Sequence, residues 1–250
     1  MAAPQPDAYP LIRDIGLTGK LVTFAGSLTE PANRAALAFR AAVEAQAWHG
    51  VEESATSLAS VFVRFDPFTL SHDEIHRNLK NLLDGQDWFA VALPRGRTLW
   101  TIPVVLGGNY GPQLDEAADL AGLDQTTAKA EITTSQTRVL TLGFAPGQPY
   151  MGQLPDHWNI PRMNTLNPQV PGASLVVAIR QLIIFGGPAP TGWRHIGQTA
   201  FQCFRPALDD PFALTPGDEI TFREITTEQL EHIRATDNTG DGGATRTVLP

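Results

Sequence analysis

The apolar positions along this chain change period several times, and each change marks an element. Short runs at 9–14 and 20–24, separated by a glycine-containing turn, predict two strands. Pro10 sits near the start of the first, where a missing donor is tolerated. Ala36, Phe39, Val43 and Ala47 then recur at helical spacing, with Thr29 placed as N-cap and Pro31 in the first turn. Segments 50–53 and 59–65 read as extended, Val61 and Val63 alternating with Phe62 and Arg64 as in a half-buried strand. Asp66-Pro67 ends that strand. Ser71 and Glu74 have capping-box spacing, and Ile75, Leu79, Leu82 and Leu83 form the stripe of a second helix. The order ββαββα predicts a small antiparallel sheet with two helices on one face, an α+β domain over 9–93.

The pattern changes after a connector at 84–98. A short helix is predicted over 112–121, with Leu114, Ala117, Ala118 and Ala121 inward and Gly122 as its stop. Asp124 is placed to cap another through Ile132. Strands are expected at 139–143, 174–179, 183–185, 199–204 and 219–224, punctuated by glycine and proline. Many short strands with such turns predict a mainly-β barrel or sandwich over 94–225. Residues 1–8 read as a disordered N-terminus, and 226–250, polar and glycine-rich, as a flexible tail.

Composition narrows the function classes. With 42% hydrophobic and 18% charged residues, 22 glycines and 20 prolines, the 250-residue chain is loop-rich rather than a helical bundle. A formal net charge of −8 and the absence of any basic run argue against a nucleic-acid partner. No apolar stretch approaches the ~20 residues of a membrane span, and the first residues do not read as a secretory signal. The single cysteine, Cys203, fits a cytoplasmic location and lies in an apolar run, as a small buried hydrophobe does. His72 and His76 stand four apart, but no third ligand accompanies them and no metal signature occurs.

Two segments carry the candidate chemistry. Gly143-Phe144-Ala145-Pro146-Gly147-Gln148-Pro149-Tyr150-Met151-Gly152 follows an apolar strand. Its glycines and prolines suit neither a helix interior nor a central strand. They predict a rigid loop that displays Phe144 and Tyr150, the usual place for a binding surface. A second such segment, Gly186-Gly187-Pro188-Ala189-Pro190-Thr191-Gly192-Trp193-Arg194-His195-Ile196-Gly197-Gln198-Thr199, follows 182–185. Together they resemble the family that includes the 5-oxoprolinase B subunit, the KipI kinase inhibitor and allophanate hydrolase subunit 1, of the carboxyltransferase subdomain C and D type. There the first loop reads close to GFxPGFPYLG and the second close to SPGGWxLIGRT. Pro161-Arg162, the turn Val170-Pro171-Gly172-Ala173-Ser174, and Ile102-Pro103-Val104 followed by Gly107-Gly108-Asn109-Tyr110-Gly111-Pro112 match further family segments in order. The resemblance makes the second domain cyclophilin-like. In the first domain it rests on 63–67, and Thr56 and Leu58 stand where the family has a Pro-x-Tyr.

The candidate cleft is assigned Phe144, Pro146, Tyr150, Arg162, Gln181, Trp193 and His195. Arg162 suits a carboxylate or phosphate gripped by two parallel bonds. Gln181 matches the family's glutamine in its QTGIYP segment and suits an amide or carboxylate. His195 replaces an aliphatic family residue, so packing is its first expectation. Thr133, Thr137 and Gln198 stand where the family carries His, Tyr and Arg, Gln148 replaces a loop Phe, and Gly172-Ala173 inverts the usual Ala-Gly. The resemblance implies the non-ATP-binding B subunit of an ATP-dependent 5-oxoprolinase, converting 5-oxo-L-proline to L-glutamate, or a paralogue for a related cyclic amide. Its partners would be a homologue of the 5-oxoprolinase C subunit or allophanate hydrolase subunit 2, together with an A subunit. No cofactor is expected on this chain, whose sequence has no Walker-type loop; ATP would be used elsewhere in the complex. A KipI-like kinase-binding protein without catalysis is the alternative. Kinship with the carboxyltransferase part of urea carboxylase ranks last, because no biotin-carrier segment is seen.

Overall fold

In the computed structural model, which describes residues 9–250, the first strands pair as the alternation requires. The reading of 1–8 lies outside the described residues. The chain divides after Arg95 into two units. In the first, β1 (Leu11–Ile15), β2 (Gly19–Thr23), β3 (Val51–Ser57) and β4 (Ser60–Phe65) form an antiparallel sheet in the order β1-β2-β4-β3. Helices α1 (Glu30–Gln46) and α2 (His72–Asp84) supply Phe39, Val43, Ile75 and Leu79, which pack with Val22, Val61, Val63 and Phe65 in one core. Thr29 Oγ1 accepts the Ala32 N–H at 3.3 Å, and Ser71 Oγ accepts the Glu74 N–H at 3.3 Å, so both helices start where their caps predict. Ala47 leaves the apolar stripe expected for it. It is the left-handed C-cap of α1, with φ 48°.

The second unit opens with β5 (Thr98–Leu106), followed by α3 (Leu114–Ala121) and α4 (Gln125–Thr134). Gly122 stops α3 at φ 71°, and the Asp124 carboxylate accepts the Thr127 N–H at 2.7 Å to start α4. Strands β6 (Thr137–Leu142), β7 (Pro149–Gly152), β8 (Asn167–Val170), β9 (Ser174–Ala178), β10 (Gln181–Ile184), β11 (Ala189–Thr191), β12 (Arg194–Gln198) and β13 (Glu219–Glu224) follow, then α5 (Thr227–Thr236) and β14 (Thr245–Val248). Seven of them close a barrel in the order β12-β9-β10-β7-β6-β13-β5, with β5 pairing back to β12. The β5–β13 pair is parallel. Strand alternation sends Leu175, Val177, Leu182 and Ile184 inward to join Ile102, Val104 and Met151, so the barrel is filled by its own core. The other face of the same strands carries Val176, Ala178 and Ile183. These pack with Phe185 and Trp193 in a second apolar cluster outside the barrel.

Two expectations are corrected here. Residues 226–250 are not a flexible tail. α5 is held by reciprocal bonds between Thr226 and Gln229, and its Leu230 is fully buried beside Val105 and Ile225. β14 then pairs antiparallel with β5, Thr245 opposite Thr101. The order of β14 comes from backbone pairing, because its side chains are all exposed. Residues 199–204 are not a strand either. The Thr199 hydroxyl donates to Ala173 O (3.0 Å) and accepts the Phe201 N–H (3.2 Å), turning the chain out of the sheet. The strand lies one step earlier, as β12 inside the second glycine-rich segment.

Candidate functional site

The β6–β7 connection builds one wall of a cleft. Gly143 N–H donates to Gln148 O, and Gln148 N–H donates to Ala145 O, each at 3.1 Å, so the loop is closed by its own backbone. Gly147 adopts φ 69°, and a Cβ there would lie 2.4 Å from Cys203 O, so only glycine fits. Phe144, with φ 70°, is a non-glycine residue in the left-handed region. That backbone turns its ring outward, 74% exposed, yet still 6.4 Å from Phe185.

The opposite wall comes from the loop after β7 and from the β11–β12 turn. Trp193 N–H donates to Thr191 Oγ1 at 3.0 Å. Met163 N–H donates to Gly192 O at 2.7 Å, and the buried Arg194 donates through Nη1 to Pro161 O at 2.6 Å while its Nε meets Glu116 at 2.9 Å. Arg162 is therefore anchored on both sides along the chain. Its guanidinium lies 5.2 Å from the Trp193 ring centre. It makes no ion pair with a described residue. Tyr150 meets Trp193 edge-to-face at 6.1 Å. The cleft between these walls has a volume of about 260 Å³. Its floor is Ile183 and Phe185 on the outer face of the barrel strands, and Met163, Leu166 and Gln148 complete its sides. Small-molecule pockets usually start near ~300 Å³, so this one suits a small ring rather than a nucleotide.

Four of the seven sequence-predicted residues, Phe144, Tyr150, Arg162 and Trp193, line this one cleft. Pro146 is exposed on the loop and is not part of the lining. Gln181 shares the outer face of β10 with Ile183 but is buried, two residues beyond the cleft. His195 is also buried; its Nε2 lies 3.0 Å from Gly197 O. Burial pushes the His195 imidazole below its ordinary value, against the opposing bond to Gly197. Gln148, Met163 and Thr191 join the lining without having been expected there, although Gln148 was visible as the one long polar side chain in the first loop.

The residues standing at the family's His, Tyr and Arg positions are occupied internally. Thr133 Oγ1 bonds Lys129 O at 2.8 Å, and Thr137 Oγ1 bonds Ile220 O at 3.3 Å. Gln198 Nε2 donates to Gly172 O at 2.8 Å, and its Oε1 accepts from Ser174 at 3.0 Å. Cys203 is buried, and burial pushes its thiol up to about 12, which removes it as a nucleophile at neutral pH. Among the described residues no cluster of three or more His, Cys, Asp or Glu could hold a metal. Among the described residues no helix is long and apolar enough to cross a membrane.

A two-part build of this kind, a four-stranded α+β unit followed by a closed barrel, is shared with carboxyltransferase-like domains. Residues 10–214 match the family described as carboxyltransferase domain, subdomain C and D, and the chain belongs to that family. It is 27% identical to the 5-oxoprolinase B subunit of Bacillus subtilis (strain 168) over 229 residues, covering 86% of this chain and 92% of that protein. It is 31% identical to the 5-oxoprolinase B subunit of Haemophilus influenzae over 170 residues, covering 67% and 73%. Among solved structures, TTHA0988 matches with a TM-score of 0.71 at 30% identity, over 84% of this chain and 40% of that one. Urea carboxylase of Kluyveromyces lactis matches with a TM-score of 0.71 at 17% identity, a likeness of fold, over 95% of this chain and 24% of that one. The chain thus spans less than half of TTHA0988 and about a quarter of the urea carboxylase.

Proposed function

We propose that this chain is the B subunit of an ATP-dependent complex that opens a cyclic amide, with 5-oxo-L-proline as the first candidate substrate and L-glutamate as product. The observation that carries the reading is the Arg162 guanidinium, held over Trp193 without an anionic partner among the described residues, at the mouth of a small aromatic cleft. A cation so placed suits the carboxylate of a small ring acid. Tyr150, Trp193 and Ile183 offer apolar faces for the ring.

The cleft's lining contains no Asp, Glu, His or Cys. In this reading the chain binds and orients the substrate, and the groups that move protons are assigned to a partner protein. The names of the B. subtilis and H. influenzae relatives support a multi-subunit setting. A homologue of the 5-oxoprolinase C subunit is the partner we assign to complete the cleft, and an A subunit the one that uses ATP. The chain is a cytoplasmic protein in this reading.

The test is reconstitution. The chain is co-purified with homologues of the C and A subunits, and ATP-dependent release of glutamate from 5-oxo-L-proline is measured. An intact complex that yields no glutamate rules out this substrate. A second reading, a kinase-binding protein without chemistry, is favoured by the rim, where Phe144 and Leu166 are 74% and 59% exposed. Capture of a histidine kinase by the chain alone, with no turnover in the complex, would select it.

A further inference from the structure

Gln148 is only 1% exposed, yet it lines the cleft. Its backbone N–H and O are both used inside its own loop. Its side-chain Oε1 accepts the Gly186 N–H at 3.1 Å. Only the oxygen of a carboxamide can accept from an amide N–H, so this bond fixes which end is which. The NH2 end makes no hydrogen bond to a described residue. A carboxamide locked at its oxygen and free at its nitrogen is a donor held ready for an acceptor. The other polar side chains of the lining are Arg162, Tyr150, Thr191 and Trp193 with its indole N–H, and none is acidic. Arg162 has donors only, and the Thr191 oxygen already accepts from Trp193. Such a lining selects a ligand rich in acceptor oxygens.

The sequence assigns amide recognition to Gln181, but that residue is buried in β10 outside the lining. We propose that Gln148, standing where the family has phenylalanine, is the specificity-determining donor of the cleft: its Nε2 takes the ring carbonyl of a small lactam carboxylate whose carboxylate sits on Arg162. The inference rests on the cyclic-amide reading above. It adds that the cleft discriminates a lactam acid from a cyclic amino acid of the same shape, because only the former satisfies the buried donor. A site built to donate to a substrate oxygen rejects the analogue that lacks it.

The test measures binding by calorimetry to the full chain, alone and in its reconstituted complex. The probes are 5-oxo-L-proline, 6-oxopiperidine-2-carboxylate, L-proline and pyrrolidin-2-one. The variants are Gln148→Met, which removes both polar ends, and Gln148→Glu, which keeps an acceptor for Gly186 N–H and replaces the donor by an oxygen. We expect one of the two lactam acids to bind about 10- to 100-fold more tightly than L-proline. Both variants should erase that ratio, and Gln148→Met, which adds no charge, should do so with little change in L-proline affinity, which a merely structural role would not do. A lactam acid whose preference over L-proline survives in Gln148→Glu overturns the donor role and leaves the substrate reading intact. Gln148-dependent binding of the six-membered lactam acid, with none of 5-oxo-L-proline, supports the donor role and removes 5-oxo-L-proline as substrate. Binding of no probe by the chain or the complex overturns both.

Discussion

Gly147→Ala tests whether the first wall of the cleft is built as described. The new methyl would meet two obstacles. The backbone there has φ 69°, a conformation that disfavours an L side chain by about 1–2 kcal/mol. The Cβ would also lie 2.4 Å from Cys203 O and 2.9 Å from Cys203 C. Neither atom can retreat easily, because the Cys203 side chain is packed in the barrel core and its O accepts the Ala213 N–H at 3.1 Å. Overpacking of this kind costs about 1–3 kcal/mol. The sum is about 2–5 kcal/mol, and at roughly 2–4 °C per kcal/mol the barrel unit should melt roughly 4–20 °C lower by calorimetry. Gly143→Ala, four residues earlier, is the internal control. A Cβ there meets nothing within 4 Å, so its change should stay within about 0.5 kcal/mol. Equal melting of the two variants would refute the argument, as would a Gly147→Ala protein with wild-type stability.

Further outcomes follow from the same structure. Arg162→Ala should raise KM for the cyclic acid about 10- to 100-fold, with stability within about 0.5 kcal/mol because the side chain is exposed; unchanged turnover and KM in the reconstituted complex would eliminate its role. Cys203, with its thiol pushed up to about 12, should resist iodoacetamide at pH 8 in the folded chain and react after denaturation in urea; rapid labelling of the native protein would contradict its burial. Burial opposes ionisation of Glu219, but hydrogen bonds from Gln136 and Arg97 outweigh it and hold its carboxyl below the ordinary value of 4.5. Its stabilisation is then present above the ordinary carboxylate range and is lost as pH falls through the lowered value. Glu219→Gln should flatten the acid limb of the stability curve below pH ~4.5, and an unaltered limb would remove this ion pair from the account.

How much was legible depended on what each residue does. Helices α1 and α2 were readable because their core side chains recur at 3.6-residue spacing and their caps, Thr29 and Ser71, are side-chain features. β14 was not, because its Thr245–Val248 side chains are all exposed and its pairing with β5 is written in the backbone. The segment 199–204 misled because Phe201 and Cys203 are core residues reached by a turn, not by a strand. In the cleft, Phe144, Tyr150 and Trp193 stood out as rings framed by glycine and proline. Gln181 falls outside the lining because outer-face alternation cannot say where along β10 the cleft begins; it begins at Ile183. Gln148 read only as a missing phenylalanine, since its use depends on a bond to Gly186, 38 residues away.

The most direct measurement of the central claim is a crystal structure of the reconstituted complex with 5-oxo-L-proline bound. The account predicts the carboxylate within hydrogen-bonding distance of Arg162 and the ring against Tyr150 and Trp193. A ligand seated elsewhere in the complex, with the cleft beside Trp193 left empty, would contradict it.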